Sequence, residues 1–438
     1  MDETHVVTCF LRNGSDVLLL RRSDAVGSYS GMWGTVAGHA EGDPDALVRE
    51  EIEEETGLLD AATFVRRGDP FAVLDEALDV RWVVHPYLFD CDSRAVTTNA
   101  ETVECEWVPP TRILERETVP NLWRSYAAVA PTVETVAADR THGAAYLSVR
   151  ALEVLRDRAA EAVAHDEAEW DSLAALARDL RDARPSMTVV ANRVNRVATE
   201  ADGDATAVAE CAGTEIDRAL TADADAARAA AELVSGARVL TLSRSGTVRE
   251  ALARADPAAI YVAESRPGGE GVAVAEALAG DGDADGPTVT LLPDAAVAQA
   301  LADEPVDAVL VGADSVLADG RVVNKVGTRA AALSADREGI PVYAVAAADK
   351  VAPGTDADLE PRERGAIYDG DAPLSAYAPT FDVTPAEAVT LVTEDGPQSV
   401  EDVRSLAAAA RERAGWDEDA GEGENGSSEG GEGDSREE

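Results

Sequence analysis

Lysine is nearly missing from this chain of 438 residues. Lys325 and Lys350 are its only lysines, and the remaining cationic side chains are arginines. Lys and Arg together number 38 against 84 Asp and Glu, so the formal net charge is -46. A surface with so few cations repels phosphates instead of releasing their counterions. The shortage of basic residues therefore excludes direct nucleic-acid binding as the expected function.

Long apolar runs and closely spaced cysteines are also lacking. No run approaches the roughly 18 apolar residues that a membrane-spanning helix needs. Residues 1–8 contain no basic segment followed by an apolar stretch, so we expect no secretory signal. The four cysteines are scattered without a Cys-x-x-Cys spacing, which favours reduced thiols over disulfides or zinc. We therefore expect a cytoplasmic protein that does not bind membranes.

Most of the negative charge belongs to the folded part of the chain. Residues 417–438 contain ten acidic residues and one Arg, which is a net charge of only -9 out of -46. Hydrophobic content is 45%, as in ordinary globular proteins. Acidity spread over a folded body, with aromatics at only 4%, is typical of a salt-rich cytoplasm, where ions screen self-repulsion. We therefore expect an extreme halophile. GC-rich codon usage explains the preference for arginine over lysine equally well.

The composition changes near residues 128–132. Eleven of the nineteen aromatic residues lie before residue 130, and the chain beyond is rich in Ala, Val, Arg and Asp. The pattern predicts an α/β protein: a small α+β domain over residues 1–128 and a second domain over 129–413. The second domain comprises a helical cap (129–228) and a Rossmann-like parallel sheet (229–413), because nearly continuous apolar strands alternate with Ala-rich helices. Residues 414–438 are predicted to be a disordered acidic tail.

A strongly helical segment covers residues 45–56. The Asp-Pro pair before it is a good helix start, and the Thr-Gly pair at its end is a good stop. At about 100° per residue, Glu51 and Glu55 share one side of this helix with Val48 and Ile52. Carboxylates on an apolar side are costly unless a cation compensates them.

Three glutamates of this helix form a candidate metal site. Glu51, Glu54 and Glu55 follow the spacing i, i+3, i+4, which directs three carboxylates towards one point. Oxygen ligands of this kind suit Mg²⁺ or Mn²⁺. We therefore predict all three as metal ligands. The alternative interpretation is a solvated acidic helix in an acidic protein.

The sequence around this helix resembles the Nudix box, G-x5-E-x7-R-E-U-x-E-E-x-G-U, in which U is aliphatic. The resemblance rests on residues 38–42 (Gly-His-Ala-Glu-Gly) and 49–58 (Arg-Glu-Glu-Ile-Glu-Glu-Glu-Thr-Gly-Leu), with matching surroundings at 17–22, 31–34 and 104–108. It extends over about the first 128 residues. The resemblance implies Mg²⁺-dependent cleavage of a nucleoside diphosphate linked to another group. It also implies that Glu104 is an extra ligand or base.

The box can be aligned in two registers. When it is aligned on its Glu-Glu-x-Gly end, Glu51 takes the metal-binding position after the box's Arg, but Glu50 stands in place of that Arg. Gly42 then stands in place of the upstream Glu. A shift of one residue restores the missing pair as Glu41 and Arg49. Both registers preserve the fold and the metal site that the resemblance implies.

Polar, Gly-containing loops follow the predicted strands of the second domain. They are residues 243–247 (Ser-Arg-Ser-Gly-Thr), 264–271 (Glu-Ser-Arg-Pro-Gly-Gly-Glu-Gly), 312–314 (Gly-Ala-Asp) and 324–328 (Asn-Lys-Val-Gly-Thr). Doubly wound sheets bind ligands at the carboxyl ends of their strands, and backbone N–H groups at helix starts hold anions. The loops therefore predict a sugar-phosphate or nucleotide pocket. For each loop alone, an ordinary turn with a Ser cap is the alternative.

These loops, together with residues 184–187 (Arg-Pro-Ser-Met), resemble the alpha-type subunits of translation initiation factor 2B over about residues 131–412. The same fold includes ribose-1,5-bisphosphate isomerase and methylthioribose-1-phosphate isomerase. Those isomerases pair a catalytic Cys, in the loop after the first strand, with the Asp of Gly-Ala-Asp. Here Asp314 is present, but Ser243 stands at the Cys position. A hydroxyl is far less acidic than a thiol, so we favour a ligand-sensing or assembly module over an isomerase.

The pocket residues expected from this resemblance are polar residues of the loops and the cap: Arg184, Ser243, Arg266, Asp314, Asn324 and Lys325. The leading hypothesis is a Mg²⁺-dependent Nudix hydrolase that acts on a nucleotide-type diphosphate and is fused to a domain that binds a phosphorylated metabolite. One alternative is an initiation factor 2B-like regulatory protein with a non-catalytic Nudix domain, and another is a sugar-phosphate isomerase. In each case we expect a homo-oligomer.

Overall fold

The computed structural model describes residues 2–40, 42–280 and 286–417. Contacts divide the chain into two compact units. The first comprises residues up to 139 together with 149–173 and 204–220, and the second comprises 140–148, 174–203 and the chain from 221 onward. The predicted boundary at 128/129 therefore lies near the first change of unit, while parts of the predicted cap pack with the N-terminal unit.

The first unit is built around one mixed sheet of eight strands. Its longest strands, β1 and β7, run parallel to each other, and the remaining strands pair antiparallel with their neighbours. The strands are β1 (Asp2–Asn13), β2 (Asp16–Arg22), β3 (Trp33–Gly34), β4 (Val36–His39), β5 (Ala62–Arg67), β6 (Phe71–Asp75), β7 (Val80–Cys91) and β8 (Thr102–Val108). The helices are α1 (Pro44–Thr56), α2 (Leu122–Ala127) and α3 (Val133–Ala138). The predicted α+β fold of this region is confirmed.

Strand alternation gives this sheet two apolar faces. One face, which includes Val7 and Leu11, packs on Val48 and Ile52 of α1. The other face, which includes Phe10, packs on the side of α2. Helix α1 therefore lies on the sheet with its apolar side inward, as its periodicity predicts.

The helical region that follows contains four long helices. They are α4 (Ala144–Ala164), α5 (Trp170–Asp182), α6 (Thr188–Ala201) and α7 (Ala207–Leu233). Buried charges explain why residues 149–173 group with the first unit. Glu153 of α4 is fully buried and pairs with Arg150 at 3.0 Å and with Arg12 of β1 at 3.5 Å.

The second unit contains a seven-stranded sheet in the order β11-β10-β9-β12-β15-β17-β18. Its strands are parallel except for β18. The chain direction across the sheet reverses between β9 and β12, where doubly wound sheets place their ligand crevice. The sheet strands are β9 (Arg238–Leu242), β10 (Ala259–Ala263), β11 (Thr288–Leu292), β12 (Ala308–Gly312), β15 (Val342–Val345), β17 (Thr390–Thr393) and β18 (Gly396–Gln398). The predicted Rossmann-like domain is confirmed.

Smaller elements complete this unit. A second sheet of three strands consists of β13 (Ser315–Val316), β14 (Val322–Lys325) and β16 (Phe381–Thr384). The helices are α8 (Gly246–Ala255), α9 (Glu270–Ala279), α10 (Val297–Asp303), α11 (Thr328–Glu338) and α12 (Val400–Ala414). Two apolar clusters cover the two faces of the larger sheet. Among the described residues, no helix combines the length and apolarity that crossing a membrane requires.

The predicted tail begins later than residue 414. Residues Gly415–Asp417 form a helical turn after α12. The Asp417 carboxylate pairs with Arg178 at 3.3 Å and with Arg181 at 3.0 Å, and the Trp416 indole donates to Asn195. Because of these contacts, residues 415–417 of the predicted tail belong to the folded structure. Residues 418–438 lie outside the described part of the chain.

A buried ion network joins α6 to the loop after β15. The Asp349 carboxylate accepts from Arg193 Nε at 3.1 Å and from Arg196 at 2.5 Å, and all three side chains are buried. Burial alone would raise the pKa of Asp349, but the hydrogen bonds and charges of the two arginines outweigh it and lower the pKa to about 2. The carboxylate is therefore the counter-charge for two guanidinium groups that water does not reach.

We expect Asp349→Asn to lower the free energy of unfolding by about 3–5 kcal/mol, because it removes the charge of a carboxylate that two buried arginines share. Since the folded pKa lies below the ordinary value of 3.8, the loss is complete above pH 4 and shrinks as pH falls towards 2. Urea unfolding in molar KCl measures it. The matched control is Asp356→Asn, an exposed residue that should behave as wild type. Equal midpoints for both variants would contradict this role.

Candidate functional site

Helix α1 places two glutamates against strand β4. Asp43 caps the helix by accepting from the Asp45 N–H, and Gly57 ends it with φ 65°, a left-handed conformation that glycine adopts without strain. Glu55 is buried, with 6% of its surface exposed, and it accepts a hydrogen bond from the backbone N–H of Ala37. The two ends of the helix thus fix which carboxylates face the sheet.

Gly38 makes room for the second glutamate. A Cβ atom at residue 38 would lie 1.8 Å from Oε1 of Glu51, far closer than any real contact. Glycine is therefore required here if the Glu51 carboxylate is to lie against β4. This requirement accounts for the Gly of the Gly-His-Ala-Glu-Gly segment on packing grounds.

Nearby positive charge does not outweigh the cost of burying the paired carboxylates. Burial, followed by the charge of Glu51, raises the pKa of Glu55 to about 8, although the Ala37 N–H and Arg22 oppose the shift. Burial also raises the pKa of Glu51, with further contributions from Glu54 and Glu101. Two adjacent carboxyl groups whose ionised forms are disfavoured in this way fit a divalent cation, which would supply the missing positive charge.

The other predicted residues of this site lie further out. Glu54 is exposed, and Glu104 pairs with Arg21 at 3.4 Å across the β2–β8 ladder. Within the described ranges, no three acidic, His or Cys side chains are grouped closely enough to hold a metal ion. The structure therefore brings Glu51 and Glu55 together, and the three-ligand set stays a prediction. Glu101 was not predicted, because it lies in the loop before β8, where periodicity gives no signal.

The position of Arg49 does not decide between the two registers of the box. Arg49 is exposed and its guanidinium lies 5.5 Å from the centre of the Phe89 ring. Its proposed partner Glu41 lies outside the described residues. The side chain of Glu50 is exposed as well.

At the second candidate site, the loops after β9 and β10 are joined to each other. Ser243 and Ser265 both have positive φ, at 62° and 63°, and the Ser243 N–H donates to Ser265 Oγ at 2.7 Å. The backbone N–H groups of Ser265 and Arg266 donate to the Asp294 carboxylate at 2.8 and 2.6 Å. The Arg266 guanidinium is exposed and pairs with Glu264. The predicted residues Ser243 and Arg266 therefore belong to one rigid pair of loops.

Asp314 lies in the crevice at the end of β12. Burial raises its pKa, and Lys350, Lys325 and Arg184 oppose the shift while Glu360 adds to it. Lys350 is buried and its Nζ donates to the Ala313 carbonyl at 2.6 Å. The structure thus surrounds Asp314 with three cations. Lys350 was not among the predicted pocket residues, although its rarity as a lysine in this chain was a signal that could have found it.

Two of these cations are matched by carboxylates. Lys325 Nζ contacts Glu270 at 2.6 Å, and Arg362 approaches the same carboxylate at 3.5 Å. Arg184 pairs with Glu360 at 3.8 Å. The predicted Asn324 is buried and donates to Thr328 Oγ1 at 2.9 Å, so in this structure it supports the loop before α11.

We expect the cost of burying the Glu55 carboxylate to be measurable as a change in stability, without any substrate. Its folded pKa of about 8 exceeds the ordinary value of 4.5, so wild-type stability falls as pH rises between these values, because only the unfolded chain ionises freely. In EDTA, Glu55→Gln should therefore be more stable than wild type at pH 8, by about 2 kcal/mol, and nearly equal at pH 5. Added Mg²⁺ should stabilise wild type but not the variant.

Thermal unfolding in molar KCl at the two pH values measures this difference. Glu53→Gln, on the exposed side of the same helix, is the control and should follow wild type under every condition. A Glu55→Gln variant that is less stable than wild type at pH 8 in EDTA would show that the carboxylate is already compensated within the protein.

Comparison with known proteins matches both parts of the chain. Residues 3–129 match the NUDIX domain, and residues 140–398 match the Initiation factor 2 subunit family. The chain is 33% identical over 301 residues to a ribose 1,5-bisphosphate isomerase of Haloferax volcanii, covering 63% of this chain and 91% of that protein. It is 30% identical over 320 residues to a methylthioribose-1-phosphate isomerase of Alkalilimnicola ehrlichii, covering 65% and 90%.

Solved structures show the same architecture. The translation initiation factor eIF-2B of Pyrococcus horikoshii OT3 has a TM-score of 0.51 and 25% identity, over 60% of this chain and 94% of that one. A 5-methylthioribose 1-phosphate isomerase of the same organism has a TM-score of 0.51 at 20% identity, over 70% and 89%, and supports the fold alone. The chain therefore belongs to the Initiation factor 2 subunit family and carries a NUDIX domain ahead of the family's characteristic region.

Proposed function

We propose that the NUDIX domain is a divalent-cation-dependent hydrolase of a nucleotide-type diphosphate, and that the second domain binds a phosphorylated sugar or nucleotide. The observation that carries the first part is the adjacent pair of the half-buried Glu51 and the buried Glu55, whose pKa values are raised by burial and by neighbouring carboxylates. A pair with this cost to folding is best explained by a bound cation. The preference of these carboxylates is for Mg²⁺ or Mn²⁺.

The roles of the residues follow from their placement. Glu51 and Glu55 would hold the cation, which when bound supplies an activated water and neutralises the diphosphate. The Ala37 N–H fixes the orientation of the Glu55 carboxylate. Glu54, which is exposed beside them, is free to meet the cation or a proton from the attacking water. Glu104 remains our proposal for an additional base or ligand, once its pair with Arg21 opens.

We expect hydrolysis of at least one member of a nucleoside diphosphate panel in molar KCl with Mg²⁺, and none in EDTA. Glu55→Gln should lower turnover by about 10²–10³-fold or more, because the cation loses its buried ligand. Phosphate release measures the rate. Glu53→Gln removes the same charge from the exposed side of α1 and should retain activity.

If Glu55→Gln matches wild type, or the whole panel remains uncleaved, the hydrolase proposal is wrong. The NUDIX domain would then be a non-catalytic reader, attached to an initiation factor 2B-like regulatory protein.

We call the crevice around Asp314 at the end of β12 the strand-end crevice. Its charge supports the second part of the proposal. In a chain with a net charge of -46, both lysines are buried there, at Lys325 and Lys350, beside Arg184. Clustered cations at a topological switch point suit a phosphorylated ligand. The two isomerases named above act, by name, on phosphorylated sugars, which supports a ligand of this class here.

An isomerase is the second candidate. Its support is the carboxyl group of Asp314, which lies among Lys350, Lys325 and Arg184 and whose pKa is raised by burial, together with the names of the relatives. Against it stands Ser243, whose hydroxyl replaces the thiol that the resemblance implies. A serine hydroxyl ionises far less readily than a thiol and would need a neighbouring base.

We expect wild type to bind ribose 1,5-bisphosphate without converting it to a ribulose product. Ser243→Cys should bring about slow conversion, since a thiolate replaces the hydroxyl, and Asp314→Asn in that background should abolish it. Product detection by mass spectrometry or a coupled assay measures both. Ser245→Cys, in the same loop, is the control for adding a thiol. Turnover by wild type that Asp314→Asn removes would instead establish the isomerase.

The cellular setting is proposed on separate grounds. The four cysteines are free thiols in the structure, which suits a reducing cytoplasm. A solved neighbour of similar fold is a tetrameric eIF2B-beta2-delta2 complex, and we propose that this chain forms a homo-oligomer. The acidic composition supports a halophilic host.

A further inference from the structure

Glu360 reaches into the strand-end crevice from a long irregular segment. Between β15 and β16 the chain has no helix longer than a single turn, and Glu360 lies in this stretch. Its backbone has φ 41°, a left-handed conformation that is strained for a residue other than glycine. Its own N–H donates to Asp358, and its carbonyl accepts from the Thr380 N–H. The backbone is thus held in a strained conformation that directs the side chain inward.

The carboxylate of Glu360 contacts two polar groups of the cap. It pairs with Arg184 at 3.8 Å and accepts a hydrogen bond from the Ser186 hydroxyl. Arg184 is only 6% exposed in its side chain, whereas Glu360 is 31% exposed. A guanidinium and a hydroxyl converging on an anion from a buried wall are the groups that bind phosphate in proteins. Here an internal carboxylate takes that place.

We propose that Glu360 occupies the position of a ligand phosphate between Arg184 and Ser186, so that the phosphorylated ligand must displace it. This inference rests on the proposed binding of a phosphorylated sugar or nucleotide by the second domain. Glu360 then acts as a specificity-determining residue, because only a group with more charge and more acceptor oxygens than a carboxylate gains by replacing it.

The energetic terms favour such an exchange. A phosphate dianion offers three acceptor oxygens and more charge to Arg184 than one carboxylate does. Because Glu360 is partly exposed, its carboxylate can move into water at low desolvation cost. Its departure also relieves the repulsion between Glu360 and Asp314. An uncharged sugar brings no charge to Arg184, so it would leave the pair of Arg184 and Glu360 intact.

Calorimetric titration of the full chain in molar KCl tests the exchange. The probes are ribose 1,5-bisphosphate and inorganic phosphate. Glu360→Gln and Glu360→Ala should each bind the bisphosphate about tenfold more tightly than wild type, because the internal competitor is gone. Glu363→Gln removes the same charge from an exposed position three residues away and should leave affinity unchanged.

A second background separates competition from a general charge effect. In Arg184→Gln, the Glu360→Gln change should give no gain, since the anion position itself is lost. If wild type binds a probe while both Glu360 variants bind it equally or more weakly, Glu360 supports the ligand and the inference is overturned. If neither wild type nor the Glu360 variants bind either probe, the proposed ligand function of the second domain fails first and removes the basis of this inference.

Discussion

With 84 acidic and 38 basic residues, this chain cannot give every carboxylate a cation of its own. Whether a buried carboxylate is paired with cations therefore distinguishes structural residues from candidate functional ones. Asp349 has two buried arginines, and its pKa falls to about 2. Glu55 is buried beside the Glu51 carboxylate, and its pKa rises to about 8 although Arg22 opposes the shift. The first arrangement pairs its buried charges within the chain, whereas we propose that the second binds a divalent cation.

In the strand-end crevice, charge compensation is intermediate between that of Asp349 and that of Glu55. Its cations outnumber the acid at its centre, but they are shared with Glu270 and Glu360. A site that binds phosphate with fully free cations would repel itself when empty. Internal carboxylates remove that repulsion and make binding an exchange of anions. In a concentrated salt solution such an exchange also rejects weaker anions, since they must compete with a carboxylate that is already in place.

The sequence predicts the helices and strands better than it predicts the contacts between them. Local sequence pattern predicted helix α1 from its 3.6-residue periodicity and the parallel strands that begin with β9 from nearly continuous apolar runs, because both signals lie within short segments. It gave no sign of β17 and β18, or of the small sheet around β14. Those strands have only two to four residues, and the β14–β16 and β15–β17 pairings join segments that lie far apart in the chain. The grouping of Glu153 with Arg12 was hidden for the same reason.

The amino-acid sequence by itself determined the two-part organisation, the amphipathic α1 with its inward carboxylates, and the Ser243 and Asp314 pattern of the second domain. The first two follow from composition and periodicity, and the third follows from the resemblance to the isomerases of this fold. Only the tertiary structure decided which charges meet. Glu101 approaches Glu51 from a separate loop, Lys350 approaches Asp314, and Glu360 approaches Arg184. Such contacts depend on loop conformation and on desolvation, and both are set by the packing of segments that are distant in sequence.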